Sequence, residues 1–131
     1  MITQILSGSV LVFVLMLLSC QKPQDTGETL IGKWRLDSIQ AWMRDPNNQL
    51  QVMTVYKSTS DYYDYRTDGY LYRFYNSRYD TIPYSLEKST NARWLIRYGM
   101  PNSADTIQSL SSHKLTLMNA QGGRSRLMLT R

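Results

Sequence analysis

From residue 30 onward, short runs of apolar, β-branched and aromatic residues alternate with turn residues at intervals of about ten positions. No long segment has the spacing of an amphipathic helix. Asp68-Gly69 can adopt the positive φ angles of a tight hairpin turn, which suits closely spaced antiparallel strands. The pattern predicts an all-β antiparallel domain with strands at approximately 32–43, 50–58, 61–67, 70–76, 79–87, 92–99, 104–111, 113–119 and 124–131.

Side-chain parity predicts which residues face the interior, because successive side chains of a strand point to opposite sides. The residues predicted to face inward are Trp34, Leu36, Tyr70, Tyr72, Phe74, Trp94, Ile96, Tyr98, Leu115 and Leu117. Those predicted to face solvent are Lys33, Arg35, Arg73, Arg93, Arg97, Arg124 and Arg126. The sequence thus predicts an apolar, aromatic interior and a basic exterior.

The number of predicted strands favours a closed arrangement. An open sheet would expose two edges to unwanted pairing, and closure removes them. We expect an antiparallel up-and-down barrel of about eight strands, whose interior is either filled by side chains or wide enough for one small ligand. A double-sheet sandwich is the alternative arrangement of the same strands.

The first residues have a different pattern, with nine consecutive apolar residues at 10–18. That run is too short to span a membrane and has the length of a signal-peptide core. Leu17-Leu-Ser19-Cys20 resembles the lipobox of bacterial lipoproteins. The resemblance implies a cleaved signal peptide at 1–19 and a lipid on Cys20, palmitate included, that anchors the protein in the outer membrane of the cell envelope. Residues 1–9 contain no Lys or Arg, so an ordinary secretory peptide or a buried helix is the alternative.

A flexible tether is predicted at residues 20–29, which are polar and contain Pro and Gly, before a single domain at 30–131. Cys20 is the only cysteine, so no internal disulfide is available. All 15 basic and 10 acidic residues follow Cys20, which gives the mature chain a net charge of +5. In an exported domain this charge favours anionic envelope groups over nucleic acid, and a merely solvated surface also explains it.

Motifs of the mature chain carry a second resemblance. Leu30-Ile-Gly32-Lys-Trp34-Arg-Leu36 has the Gly-x-Trp start of the lipocalins. Similar in order are the aromatic hairpin at 65–74 and the segments 106–110, 114–117 and 127–131. Over 31–131 the chain thus resembles the small lipocalin-like lipoproteins of Gram-negative bacteria. The resemblance implies that Trp34 plugs the closed end of the barrel and that Arg131 covers it, with Gly32, Trp34 and Arg131 acting as structural closure residues.

Catalytic and metal-binding residues are scarce. His113 is the only histidine and follows two serines at a predicted turn, where a solvated side chain is expected. Asp61, Asp64 and Asp68 lack the spacing of a calcium loop. The sequence contains no phosphate-binding glycine loop and no metal-spaced His and Cys cluster, so we expect no enzyme activity, metal or cofactor.

The 10 tyrosines and 3 tryptophans suit either a packed β core or the lining of a ligand cavity. The candidate ligand-binding residues are Trp42, Tyr72, Tyr84, Trp94 and Tyr98. The sequence therefore predicts a lipid-anchored envelope lipoprotein that binds a small hydrophobic or amphipathic molecule. The alternative is an accessory module with a filled core that docks onto an envelope protein or an anionic glycan. A cavity of about 300 Å³ or more would separate the two hypotheses.

Overall fold

The structure is a computed structural model that describes residues 26–120 and 124–131. In these ranges it contains a short helix, α1 (Thr26–Leu30), and the strands β1 (Gly32–Arg44), β2 (Leu50–Lys57), β3 (Tyr62–Tyr65), β4 (Tyr70–Tyr75), β5 (Arg78–Lys88), β6 (Trp94–Tyr98), β7 (Ala104–Leu110), β8 (Lys114–Asn119) and β9 (Ser125–Thr130). Each strand overlaps one predicted run. The predicted signal peptide and Cys20 lie outside the described residues. Among the described residues, no helix has the length and hydropathy that crossing a membrane requires.

The sheet closes because β1 pairs with strands on both of its edges. One edge of β1 pairs with β3 and the other with β9, and from β3 to β9 each strand pairs antiparallel with the next. β1 and β3 to β9 thus form a closed eight-stranded antiparallel barrel, which confirms the predicted fold class. Within the described residues, β2 pairs with β1 only and is an additional strand.

The second half of β1 pairs with β2 in a hairpin, and its first part, Ser38 to Ala41, also pairs with β9 on the other edge. Gly32 to Arg35 of β1 pair with β3, whereas Ser38 to Arg44 pair with β2 along the same edge. We call residues 38–44 and 50–57 the ribbon. The end of the barrel at which β1 ends is here the open end, and the end at which β1 begins is the closed end. The ribbon therefore ends at the open end, together with the β4–β5 and β6–β7 connections.

The closed end is filled by Trp34, which is fully buried. Its Nε1 donates a hydrogen bond of 2.8 Å to the carbonyl of Leu30. The guanidinium carbon of Arg131 lies 4.1 Å from the centroid of the Trp34 ring, as predicted. Arg131 also donates hydrogen bonds through Nε, Nη1 and Nη2 to the carbonyls of Ser112, Ile31 and Thr29. These contacts hold the Trp34 ring between the core and the guanidinium of Arg131 at the closed end.

The start of the domain differs from the prediction. Thr26–Leu30 form α1, and Thr29 and Leu30 are buried, although residues 20–29 are predicted as a tether. This part belongs to the domain because Leu30 joins the core and its carbonyl holds the Trp34 indole. Gly32 follows with a φ of +126°, and a Cβ there would lie 2.8 Å from Nη1 of Arg131. Glycine at this position thus allows the close approach of Arg131.

One register shift reverses the predicted orientation of the second half of β1. The shift against β9 follows Leu36 and inserts one residue, so Ile39 is the next side chain that packs on the core. Gln40 and Trp42 consequently point outward. There, Nε of Arg126 donates a 2.7 Å hydrogen bond to Gln40, and its guanidinium lies 5.2 Å from the Trp42 ring centroid. The prediction that Trp42 faces the interior is therefore wrong.

The two faces of β4 are also the reverse of those predicted. Leu71 is buried in the core, and Arg73 pairs in register with the buried Tyr63. The inward side chains of β4 are thus Leu71, Arg73 and Tyr75, and the outward ones are Tyr70, Tyr72 and Phe74. Aromatic residues occupy both faces of this strand, so parity alone did not identify the inner one. The outward rings pack on the surface, where Phe74 contacts Tyr79 at a centroid distance of 4.7 Å.

Candidate functional site

A cavity of about 280 Å³ lies at the open end of the barrel. Its wall is formed by strands β3 to β9 and by the connection between β6 and β7. The lining side chains that matter most for its chemistry are Tyr63, Arg73, Ile82, Tyr98, Asp105 and Leu127. The volume lies just below the roughly 300 Å³ expected from the sequence for a ligand cavity, at which small-molecule sites begin, so only a small ligand fits.

One wall of the cavity carries a chain of hydrogen bonds that ends on a carboxylate. The hydroxyl of Tyr98 donates to Asp105 at 2.9 Å. Because that hydroxyl has one proton, the 2.9 Å contact between Tyr65 and Tyr98 has Tyr65 as the donor. Both tyrosines are inward side chains, Tyr65 on β3 and Tyr98 on β6, and they meet inside the barrel. The chain leaves the second oxygen of Asp105 available to the cavity.

Burial is the main cause of the pKa shifts along this chain of hydrogen bonds. Burial raises the pKa of Asp105 above its usual range, although the hydrogen bond from Tyr98 and the positive charge of Arg73 act in the opposite direction. Burial, together with the neighbouring Tyr65 and Asp105, raises the pKa of Tyr98 well above its usual value. Tyr98 is therefore a neutral donor at physiological pH, and the carboxylate of Asp105 is a desolvated acceptor.

The opposite wall carries the guanidinium of Arg73. Its Nη2 forms an ion pair of 2.8 Å with Asp80, and 27% of its side chain is exposed. The guanidinium carbon lies 5.7 Å from the ring centroids of both Tyr63 and Tyr75. Burial raises the pKa of Tyr63 to about 12, so this ring stays neutral beside the cation. Nε of Arg73 is buried and donates no hydrogen bond to any described residue.

A buried donor without a partner is costly in a folded protein, by about 1–3 kcal/mol. Such a group calls for an explanation, and the described residues supply none. Arg73 and Asp105 both line the cavity but do not form an ion pair with each other. The cavity therefore offers a cationic donor and an anionic acceptor on separate walls.

The remaining lining adds apolar surface next to these polar groups. Ile82 and Leu127 are partly buried side chains that pack against the core. Met100 lies in the β6–β7 connection at the open end and is 60% exposed. The apolar surface thus continues from the cavity to the rim, so the site has a polar part and an apolar part.

The structure brings only one of the predicted ligand-binding residues to this cavity, and that residue is Tyr98. Trp42 and Tyr72 point outward, and Tyr72 donates its hydroxyl to Asp68 at 2.9 Å beside the guanidinium of Arg66. The prediction that they line an interior cavity is wrong, because the bulge in β1 turns Trp42 outward and the reversed faces of β4 turn Tyr72 outward. Neither residue lines this cavity.

Tyr84 and Trp94 have the predicted inward parity but lie away from the cavity. Tyr84 packs edge-on against Tyr65 and donates its hydroxyl to the carbonyl of Arg66, in a connection at the closed end. Trp94 begins β6 at the same end, 6.0 Å from Nζ of Lys88. Both residues therefore contribute to the barrel wall on the closed-end side of the cavity and not to the lining of the cavity.

Arg73 and Asp105 line the cavity but are not among the ligand-binding residues that the sequence predicts. Arg73 was predicted to face solvent, because its parity is opposite to that of Tyr70, Tyr72 and Phe74, which were predicted to face inward. The available signal was its parity with Leu71, the one aliphatic residue of β4. For Asp105, the signal was its parity with the apolar Ile107 on β7, which points both side chains inward.

The other candidate residues have structural partners. Asp61 is buried and accepts a 2.6 Å hydrogen bond from the hydroxyl of Tyr56, and Asp64 pairs with Arg66. His113 is exposed in the turn before β8. Across residues 26–120 and 124–131, no three His, Cys, Asp or Glu side chains are grouped in a way that suits a metal ion.

Comparison with known proteins adds no family to this description. The chain matches no protein-family model, no curated protein and no solved structure. The resemblance to lipocalin-like lipoproteins therefore stays a prediction from short motifs.

Proposed function

We propose that this protein is a lipid-anchored envelope lipoprotein whose barrel binds one small amphipathic molecule in the open-end cavity. The observation that carries the proposal is that the cation Arg73 and the carboxyl group of Asp105 line one cavity of about 280 Å³ without pairing with each other. A polar group of the ligand accepts a hydrogen bond from Arg73, and a second group donates to Asp105. The apolar part of the ligand contacts Ile82, Leu127 and Met100.

The two polar walls favour an amphipathic ligand over a purely hydrophobic one. A hydrocarbon in contact with Arg73 and Asp105 would exclude water without replacing its hydrogen bonds. Leaving such groups unpaired costs several kcal/mol by general transfer data, roughly 2–7 kcal/mol for a neutral polar group and more for a charged one. A ligand that satisfies both groups avoids this cost, and the acceptor that Arg73 favours most is an anionic one.

The envelope part of the proposal rests on the sequence of residues 10–20 and agrees with the geometry of the domain. The first described residue, Thr26, belongs to α1 at the closed end, and the cavity lies at the open end. Cys20 precedes Thr26 by six residues, which span at most about 20 Å. A lipid on Cys20 would thus hold the closed end near the membrane and leave the cavity mouth facing away from it.

The anchor is tested by growing cells that express the full-length protein with a clickable palmitate analogue. We expect the label on the protein and its recovery in the membrane fraction. Cys20→Ala should abolish both. Label that persists in Cys20→Ala would contradict the anchor.

The cavity is tested with anilinonaphthalene sulfonate, a fluorescent anionic amphiphile, titrated into the full-length protein purified in a non-ionic detergent below its micelle concentration. We expect saturable binding of one molecule per chain. Arg73→Gln should weaken binding at least tenfold, whereas Trp42→Ala, a change on the outer face, should leave it within twofold. Binding that is absent, or equal in both variants, would contradict the proposed site.

A further inference from the structure

The ribbon exposes apolar side chains on both of its faces. Leu50, Val52, Met53 and Val55 of β2 and Met43 of β1 are between 46% and 61% exposed. Scattered apolar residues on a surface are ordinary, but these five lie together on one two-stranded element. Every residue of β2 other than Tyr56 is exposed. The ribbon is thus the largest exposed apolar feature that the described residues form on a single hairpin.

The outer edge of β2 also carries backbone groups without partners. The amide of Trp42 donates to the carbonyl of Arg124, so the backbone groups of Trp42 point away from β2. The neighbouring pairs, Ala41 with Met53 and Met43 with Gln51, are consequently the hydrogen-bonded ones between β1 and β2. The N–H and C=O groups of the residues that alternate with Gln51 and Met53, which are Leu50, Val52 and Thr54, therefore point to the other edge of β2. In the part of the chain that the structure describes, no strand pairs with that edge.

This edge lacks the usual protection against pairing. Natural edge strands are blunted by Pro, by charged side chains, by bulges or by short length. Residues 50–54 contain no Pro and no charged residue, and the bulge in β2 comes only after Thr54. The only charged residue of β2 is Lys57 at its end. Five consecutive residues therefore present an accessible edge for strand addition.

The cations of the ribbon lie on its outer face, whereas the carboxylate of Asp45 in the β1–β2 turn accepts a hydrogen bond from Gln51, which lies on the other face. Arg44, Lys57 and Arg126 point to the outer face of the ribbon, the face that also carries Trp42 and Val52. Arg44 and Arg126 donate hydrogen bonds to neutral oxygens, those of Asn48 and Gln40. None of the four ion pairs among the described residues includes any of these three cations. An incoming strand is therefore favoured if it carries acidic side chains on this face.

The same charges argue against a second copy of the chain as the occupant. Two copies each carry a net charge of +5, and pairing of two β2 edges would bring two sets of the three cations together on one sheet. Antiparallel pairing would also direct the two closed ends away from each other, which is incompatible with two proposed anchors in one membrane. A segment of a different, acidic protein meets neither obstacle.

We propose that the open edge of β2 binds an extended segment of another protein in which apolar and acidic residues alternate. The segment adds as a strand beside residues 50–54. Its acidic side chains lie on the outer face toward Arg44 and Lys57, and its apolar side chains contact Met53 on the other face. Main-chain hydrogen bonds supply affinity, and the alternating side chains supply specificity. The inference goes beyond ligand binding in the cavity and does not depend on it.

The test uses a fluorescein-labelled peptide of nine alternating Val and Glu residues and the full-length protein, followed by fluorescence anisotropy. We expect saturable binding. A matched peptide with Lys in place of Glu should bind at least tenfold more weakly, and a Val-Glu peptide with a fully N-methylated backbone should not bind. Equal binding of the N-methylated peptide, or no binding of the Val-Glu peptide, would overturn the proposal.

Protein variants locate the site. Val52→Pro removes an N–H from the open edge without removing a hydrogen bond to β1, and it should weaken Val-Glu binding at least tenfold. Val52→Thr keeps the N–H and a β-branched side chain and should stay within twofold of the original protein. Circular dichroism checks the fold of both, and the N-methylated peptide decides the question if Val52→Pro does not fold. Sedimentation that shows a dimer of the chain, lost in Val52→Pro, would overturn the proposal in favour of a second copy.

Discussion

The two ends of this barrel use the same residue type in opposite ways. At the closed end, Arg131 directs all three guanidinium nitrogens to backbone carbonyls and covers the ring of Trp34. At the open end, Arg73 makes one ion pair, with Asp80, and its buried Nε has no described partner. Arg131 thus uses its whole guanidinium to complete the fold, whereas Arg73 is the cation that the proposed function assigns to ligand binding.

The surroundings of the two arginines also differ, because Arg131 lies at a packed end of the barrel and Arg73 lies beside a cavity. The closed end contains fully buried apolar residues such as Leu30, Trp34 and Leu115. The open end combines a cavity, a desolvated carboxylate and exposed methionines. Stability and binding are therefore expected to separate along the barrel axis. Variants at the closed end should lower stability, and variants at the open end should lower binding.

The largest effect is expected for Trp34→Ala. Removing a fully buried tryptophan leaves a cavity that the rigid barrel wall cannot close, which costs about 3–5 kcal/mol of the free energy of unfolding. Trp42→Ala, on the outer face of the ribbon, should cost less than about 1 kcal/mol. Urea denaturation followed by tryptophan and tyrosine fluorescence measures both. Equal losses would remove the distinction between the packed end and the ribbon.

The two arginines provide the most direct test of the comparison. Arg131→Ala loses three hydrogen bonds and the cation–π contact, and we expect a loss of about 2 kcal/mol in unfolding free energy. Arg73→Ala loses one partly exposed ion pair, which contributes about 0–1 kcal/mol. Binding of anilinonaphthalene sulfonate should show the reverse order. A large stability loss in Arg73→Ala with unchanged binding would contradict the functional assignment.

Gly32 tests whether the closed end depends on close backbone approach. Gly32→Ala combines a positive φ with a Cβ only 2.8 Å from Nη1 of Arg131, so we expect a loss of about 1–2 kcal/mol. Gly69→Ala is the matched control, because its φ is +82° but no atom lies within 4 Å of its Cβ. Its loss should be near 1 kcal/mol from backbone strain alone. Equal losses in thermal denaturation would show that Arg131 moves aside without cost.

The fold was predictable from the sequence because its main signals are local. Alternating apolar residues and turn residues located every strand, and the Gly32-x-Trp34 motif located the closed end. The site was less predictable because it depends on features that alternation does not contain. A single inserted residue in β1 turned Trp42 outward, and aromatic residues on both faces of β4 concealed the inward Arg73. Tyr98 faces inward as predicted because β6 has a regular register that continues from the buried Ile96.

The smallest effect concerns the carboxylate of the cavity and depends on pH. Burial raises the pKa of Asp105 in the folded state, so the folded protein binds a proton more readily than the unfolded chain. Stability of the original protein should therefore fall as the pH rises from about 4, the ordinary value for this group, through the raised pKa of the folded state.

Asp105→Asn keeps an acceptor for Tyr98 without a buried charge. It should be more stable than the original protein at pH 7.5 by about 1 kcal/mol, and the difference should shrink at acidic pH. Thermal denaturation across this range measures the difference. A variant that is less stable at every pH would mean that the hydrogen bond from Tyr98 to a charged acceptor outweighs the cost of burying that charge, and the open end would then be built for stability like the closed end.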